Sequence, residues 1–78
     1  MKQPRLDDGR RRALAILAEN PDGCTRAIML ARGFSLALLN RLVRAGLATS
    51  HLERDERGDK MIEIVRVKIT EAGRRALQ

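Results

Sequence analysis

The stretch Thr25-Arg26-Ala27-Ile28-Met29-Leu30-Ala31-Arg32-Gly33-Phe34-Ser35-Leu36-Ala37-Leu38-Leu39-Asn40-Arg41-Leu42-Val43-Arg44-Ala45-Gly46-Leu47 decides the fold. Gly33 divides it. Before the glycine, Thr25 is a capping residue. Ile28, Met29 and Ala31 follow it as core residues of a helix over about 26–32. Gly33 suits the left-handed position that ends a helix. Phe34 is the only aromatic residue of the chain, and its place between two helices suits a core plug. Ser35 then caps a third helix, about 36–45, which ends at Ala45-Gly46. On it Leu38, Leu39 and Leu42 form one face with Val43 at its edge. Ser35, Ala37, Asn40, Arg41 and Arg44 lie away from that face. From Thr25 to Leu52 there is no acidic residue, while Arg26, Arg32, Arg41 and Arg44 fall within it. An ordinary solvated surface mixes charge signs; this one carries a single sign over two helices.

Upstream, Asp8 is expected to cap a first helix over about 9–19, with Leu14, Leu17 and Ala18 on one face and Ala13 and Ile16 beside them. Asp7-Asp8 reads as a cap in preference to a metal pair. Arg10, Arg11 and Arg12 open this helix, where the macrodipole disfavours cations. They serve either as a solvated helix start or as accessory phosphate contacts. Residues 1–7 read as a flexible basic arm. Asn20-Pro21-Asp22-Gly23 is a stop-and-turn signal. Downstream, a strand is expected over about 47–52, then a polar tip over 53–60, then a second strand over about 61–69. That strand has a phase break. Ile62 and Ile64 share one face, and Val65, Val67 and Ile69 share the other. Either a β-bulge near 64–65 turns both sets inward, or Ile62 and Ile64 are exposed and face a partner. Thr70 caps a last short helix, 71–77.

The chain has 78 residues, a net charge of +6 and a pI near 11. That length holds one domain, here 8–78, and a small core that gains from a partner or a dimer interface. The charge points to polyanions, nucleic acid first and anionic membranes second. A single cysteine forms no internal disulfide, which suits a reducing cytoplasm. No apolar run approaches the ~18 residues of a membrane span, and the start has no secretory pattern. Cys24 and His51 are too few for a zinc site, and the scattered glycines make no phosphate loop. No metal, cofactor or small-molecule ligand is expected. Cys24 reads as a buried structural thiol, His51 as a strand-surface residue, and Met29 and Met61 as gap fillers. The acids cluster at turns with no second group poised beside them, so an enzyme is not expected.

The order of elements resembles a winged helix-turn-helix DNA-binding domain, closest to the MarR and PadR types of bacterial transcriptional regulator. The resemblance covers about 9–77. It rests on Gly23-Cys24-Thr25, on Gly33-Phe34-Ser35, on Leu38 to Leu47, and on Val67-Lys68-Ile69-Thr70-Glu71-Ala72-Gly73-Arg74-Arg75-Ala76-Leu77. It implies a mostly helical α+β fold: a three-helix core, a β-hairpin wing and a short C-terminal helix, without the extra dimerisation helices of full MarR-type proteins. It also implies a partner, double-stranded DNA; a homodimer is expected because a single module offers only about 600–1,000 Å² to DNA. Helix 35–45 would enter the major groove with Ser35, Leu36, Ala37, Asn40, Arg41 and Arg44 toward the bases. Asn40 suits adenine, and Arg41 or Arg44 suits guanine. Thr25, Arg26 and Arg32 would hold phosphate. Arg54, Arg57 and Lys60 are the possible wing contacts, although the tip 53–60 carries four acids against three bases. A second reading is a protein-interaction module, with the acidic wing, Ile62 and Ile64 forming the contact. Single-strand recognition is disfavoured because aromatic stacking platforms are missing.

Overall fold

The computed structural model describes residues 7–78. All but Asp7 of the expected basic arm lies outside them. The elements run α1 (Asp8–Glu19), β1 (Cys24–Thr25), α2 (Arg26–Ala31), α3 (Leu36–Arg44), β2 (Ala48–Arg57), β3 (Lys60–Ile69) and α4 (Glu71–Ala76). The three strands form one antiparallel sheet in the order β1-β3-β2. The fold is therefore α+β. It is not mostly α, because helices hold 46% and strands 31% of the described residues.

Each helix begins where a short polar side chain turns back on its first turn. Thr25, Ser35 and Thr70 accept from the backbone N–H of Ile28, Leu38 and Gly73. At α1 the cap is Asp7, one residue earlier than expected. Its carboxylate accepts from Arg10 N–H at 2.8 Å, leaving Asp8 as the acidic residue of the first turn, where the helix dipole favours it. The chain leaves α2 through Gly33 at a φ of +97°, a conformation that costs a residue with a Cβ.

The helices pack one side of the sheet. The buried core is Ala13, Leu14, Leu17, Cys24, Met29, Phe34, Leu39, Leu42, Ala48 and Val67. Ile16, Leu38, Val43, Leu47, Ile69 and Leu77 pack around it. Cys24 is buried and Phe34 is the plug, as the sequence indicates. In α2 only Met29 is buried; Ile28 is 46% exposed and Ala31 also faces outward, contrary to the sequence reading. Six residues make under two turns, so so short a helix has one buried ridge. α4 closes the core by a tight approach. Thr70 N–H donates to the Leu47 carbonyl at 3.0 Å, Thr70 Oγ1 donates to the Gly46 carbonyl at 2.7 Å, and Gly73 lies against Leu47.

The hairpin differs most from expectation. β2 runs to Arg57 instead of stopping near Leu52, so most of the expected polar tip is strand. The loop is two residues, Gly58-Asp59. Gly58 takes the φ of +61° that the first turn position of a type II′ hairpin needs. The pairing Ala48↔Ile69 through Arg57↔Lys60 is one-to-one, so there is no bulge near 64–65. Strict alternation leaves Val65, Val67 and Ile69 toward the helices. Ile62 and Ile64 lie on the other face, Ile62 40% exposed and Ile64 half-buried. Charge pairing across the strands explains why so polar a segment stays extended. Arg54 faces Glu63 at 3.7 Å, and Arg66 reaches Glu53 diagonally at 2.7 Å.

Candidate nucleic-acid interface

The outer face of α3 is the candidate surface. At about 100° per residue, Leu39 and Leu42 mark its buried side, and Leu38 and Val43 are its half-buried edges. Ala37 and Arg44 then lie in the middle of the exposed side. Leu36 and Asn40 fall toward the Val43 edge, and Arg41 toward the Leu38 edge. Leu36, Ala37, Asn40, Arg41 and Arg44 are all exposed, and Leu36 keeps 45% of its surface. Ser35 sits at the start of this face. Its oxygen is occupied by the cap at 3.1 Å, which leaves its hydroxyl hydrogen to donate.

The start of α1 adjoins α3 at Leu38, whose side chain lies beside Gly9. The Asp7 carboxyl is held below its ordinary 3.8. The chief cause is the hydrogen bond from Arg10 N–H, opposed by partial desolvation, and the charges of Arg10 and Arg41 add to the lowering. The charge of Arg41 is thus felt at Asp7 across the seam between α1 and α3. Arg10 is tied to Asp7 at 3.2 Å. Arg12 lies over the Phe34 ring at 6.0 Å, within cation–π range. That contact and the Asp7 cap offset the macrodipole cost of a basic helix start.

The remaining sequence-predicted residues do not join this face in one way. Arg32 is the exposed C-cap of α2. Thr25 and Arg26 instead line a groove of about 410 Å³ with Ala27 and Leu30 of α2 and Ile62, Glu63, Ile64 and Val65 of β3. On the hairpin, Arg54 is paired with Glu63 and Arg57 with Asp55, the latter at 3.1 Å. Among the described residues Lys60 has no such pair. Two of the three expected wing contacts are thus neutralised locally, and anion binding there must compete with the hairpin's own carboxylates. His51 is exposed on β2, 3.1 Å from Thr49 Oγ1.

The α2–β3 groove was absent from the sequence reading. Its signal is the two-residue length of β1, which leaves most of one side of β3 unpaired. No helix among the described residues is long and apolar enough to cross a membrane. No protein-family model matches the chain, nor does any curated protein or solved structure.

Proposed function

We propose that this protein is a winged helix-turn-helix that binds double-stranded DNA sequence-specifically. α3 is its recognition helix and the β2–β3 hairpin its wing, in the manner of a bacterial-type transcriptional regulator. The observation that carries the proposal is the exposed face of α3, where Asn40, Arg41 and Arg44 stand on a segment without a single carboxylate from Thr25 to Leu52. Arg and Asn present the fork geometries that read guanine and adenine edges, at roughly 1–3 kcal/mol per good pair. The protein acts as a homodimer in the cytoplasm, because one module of this size covers only about 600–1,000 Å² of DNA. Arg44, in the middle of the face, is the principal base contact. Arg41 and Asn40 flank it, and Arg32 and Ser35 hold phosphate.

The test is selection of bound sequences from a random duplex library, followed by titration of the enriched duplex. Arg41→Ala with Arg44→Ala is expected to abolish binding while circular dichroism stays unchanged. Wild-type affinity in that folded double variant overturns the proposal.

A second reading is a protein-interaction module. Its support is the exposed apolar margin of the hairpin at Met61 and Ile62, together with its ion-paired cations. No retardation of any duplex at low salt, with a stable protein assembly, decides for it.

A further inference from the structure

β3 has one strand along its whole length on one side and almost none on the other. β1 pairs only with Arg66 and Val67, because the chain leaves the sheet at Thr25 to form α2. From Met61 to Val65 no strand among the described residues pairs with this edge. Along an antiparallel strand, alternate residues turn their backbone N–H and C=O away from the paired neighbour. Here those are Met61, Glu63 and Val65, since a two-residue loop makes Arg57–Lys60 a hydrogen-bonded pair. Natural sheets blunt such edges or use them. This one is flanked by Leu30, Met61 and Ile62, which are 42%, 58% and 40% exposed and make up half of the exposed large hydrophobics among the described residues. The groove of about 410 Å³ runs between it and α2.

We infer that this edge pairs with β3 of a second copy of the chain, antiparallel about a two-fold axis at Ile62. The pairing chemistry selects the occupant and the register. An axis at Glu63 sets two carboxylates directly opposite, which is unfavourable. An axis at Ile64 runs Ile62 against Arg66, which β1 already holds. An axis at Ile62 uses only the open stretch. It opposes Ile62 to Ile62, Met61 to Glu63 and Lys60 to Ile64. The sheet face away from the helices then gathers four isoleucines, two from each copy. On the helix side, each Met61 enters the partner's groove between Glu63 and the Leu30 wall. Charge permits the approach, because the tip segment 53–60 has a net charge of −1 in a chain of +6. The cationic α3 faces stay clear of the contact.

This inference rests on the homodimer part of the functional reading and not on DNA binding, so it is tested without DNA. Sedimentation of the full chain is expected to give a dimer across the micromolar range. Ile62→Lys places two ammonium groups on the axis and is expected to give a monomer with unchanged circular dichroism. Ile28→Lys, at a comparably exposed position outside the groove, is expected to stay dimeric. Should the lysine variant fail to fold, cysteine cross-linking decides. Opposed Cα atoms of a non-hydrogen-bonded pair are about 4.5 Å apart, within disulfide reach, so Ile62→Cys is expected to oxidise to a covalent dimer. Glu63→Cys is expected not to, and Cys24 is buried. A wild-type monomer, a dimer indifferent to Ile62→Lys, or cross-linking at position 63 and not at 62 overturns the inference. A monomer that still retards duplex DNA removes this interface and leaves the DNA reading standing.

Discussion

Two residues show how position sets the sign of an effect. Gly73 lies inside α4, where Gly→Ala ordinarily stabilises a helix by about 1 kcal/mol. Here a Cβ would fall on the Leu47 carbonyl oxygen and crowd Ile69. Gly73→Ala is expected to destabilise by about 1–3 kcal/mol, measured by urea unfolding, with the midpoint moving and the slope unchanged. Asp7 works through charge. Its carboxyl is held below 3.8 chiefly by the Arg10 N–H. A carboxylate with a depressed folded pKa stabilises the protein above its unfolded pKa, and this is lost as pH falls through the folded value. The melting-temperature gap between wild type and Asp7→Ala is expected to be full at neutral pH. It should close progressively below about pH 3.8 in thermal melts across that range.

At the scale of elements, the helices were legible, and the hairpin was legible in its existence but not in its length or register. Thr25, Ser35 and Thr70 are caps because a hydroxyl one residue ahead of a helix reaches the N–H three positions on. That geometry is contained in four consecutive residues. The two strands of the hairpin depend on each other. Glu53-Arg54-Asp55-Glu56 has poor β propensity on its own, and it is extended because Glu63 stands across from Arg54 and Arg66 reaches Glu53 diagonally. The same one-to-one register decided against a bulge and left Ile62 outside. The hairpin also has a gradient of support. Ala48 and Val67 near its base are buried, and no residue from Thr49 to Arg66 is. Amide hydrogen exchange is expected to show strong protection at Val67, which faces β1, and at Lys68, which faces β2. Between Arg54 and Ile62 protection should be weak, rising on dimer formation. Uniform protection along both strands in the monomer contradicts this account.

For the whole molecule, the decisive quantity is where the charge lies. The excess of +6 is concentrated between Thr25 and Leu52 as +4, while the hairpin tip is −1. The proposed DNA contact through α3 and its neighbours would neutralise about four phosphates, so log K is expected to fall against log salt with a slope near −3.6. The measurement is duplex binding by anisotropy over a salt series. A much steeper slope would mean that the hairpin cations also join, against their pairing with Glu63 and Asp55. The candidate face was readable residue by residue, because helical periodicity fixes which side of α3 is apolar. The placement of Arg26 beside β3 was not readable, because it depends on how α2 meets a strand more than thirty positions away.

Local sequence determined the four helices, their caps, the Gly33 turn, the buried thiol and the acid-free cationic face. Each follows from side-chain spacing or a backbone preference acting within a few residues. Tertiary structure decided the length of the hairpin, the exposure of Ile62, the tight seat of Gly73 and the open edge of β3. Those depend on pairing and close approach between distant segments, and no local preference specifies which segments meet.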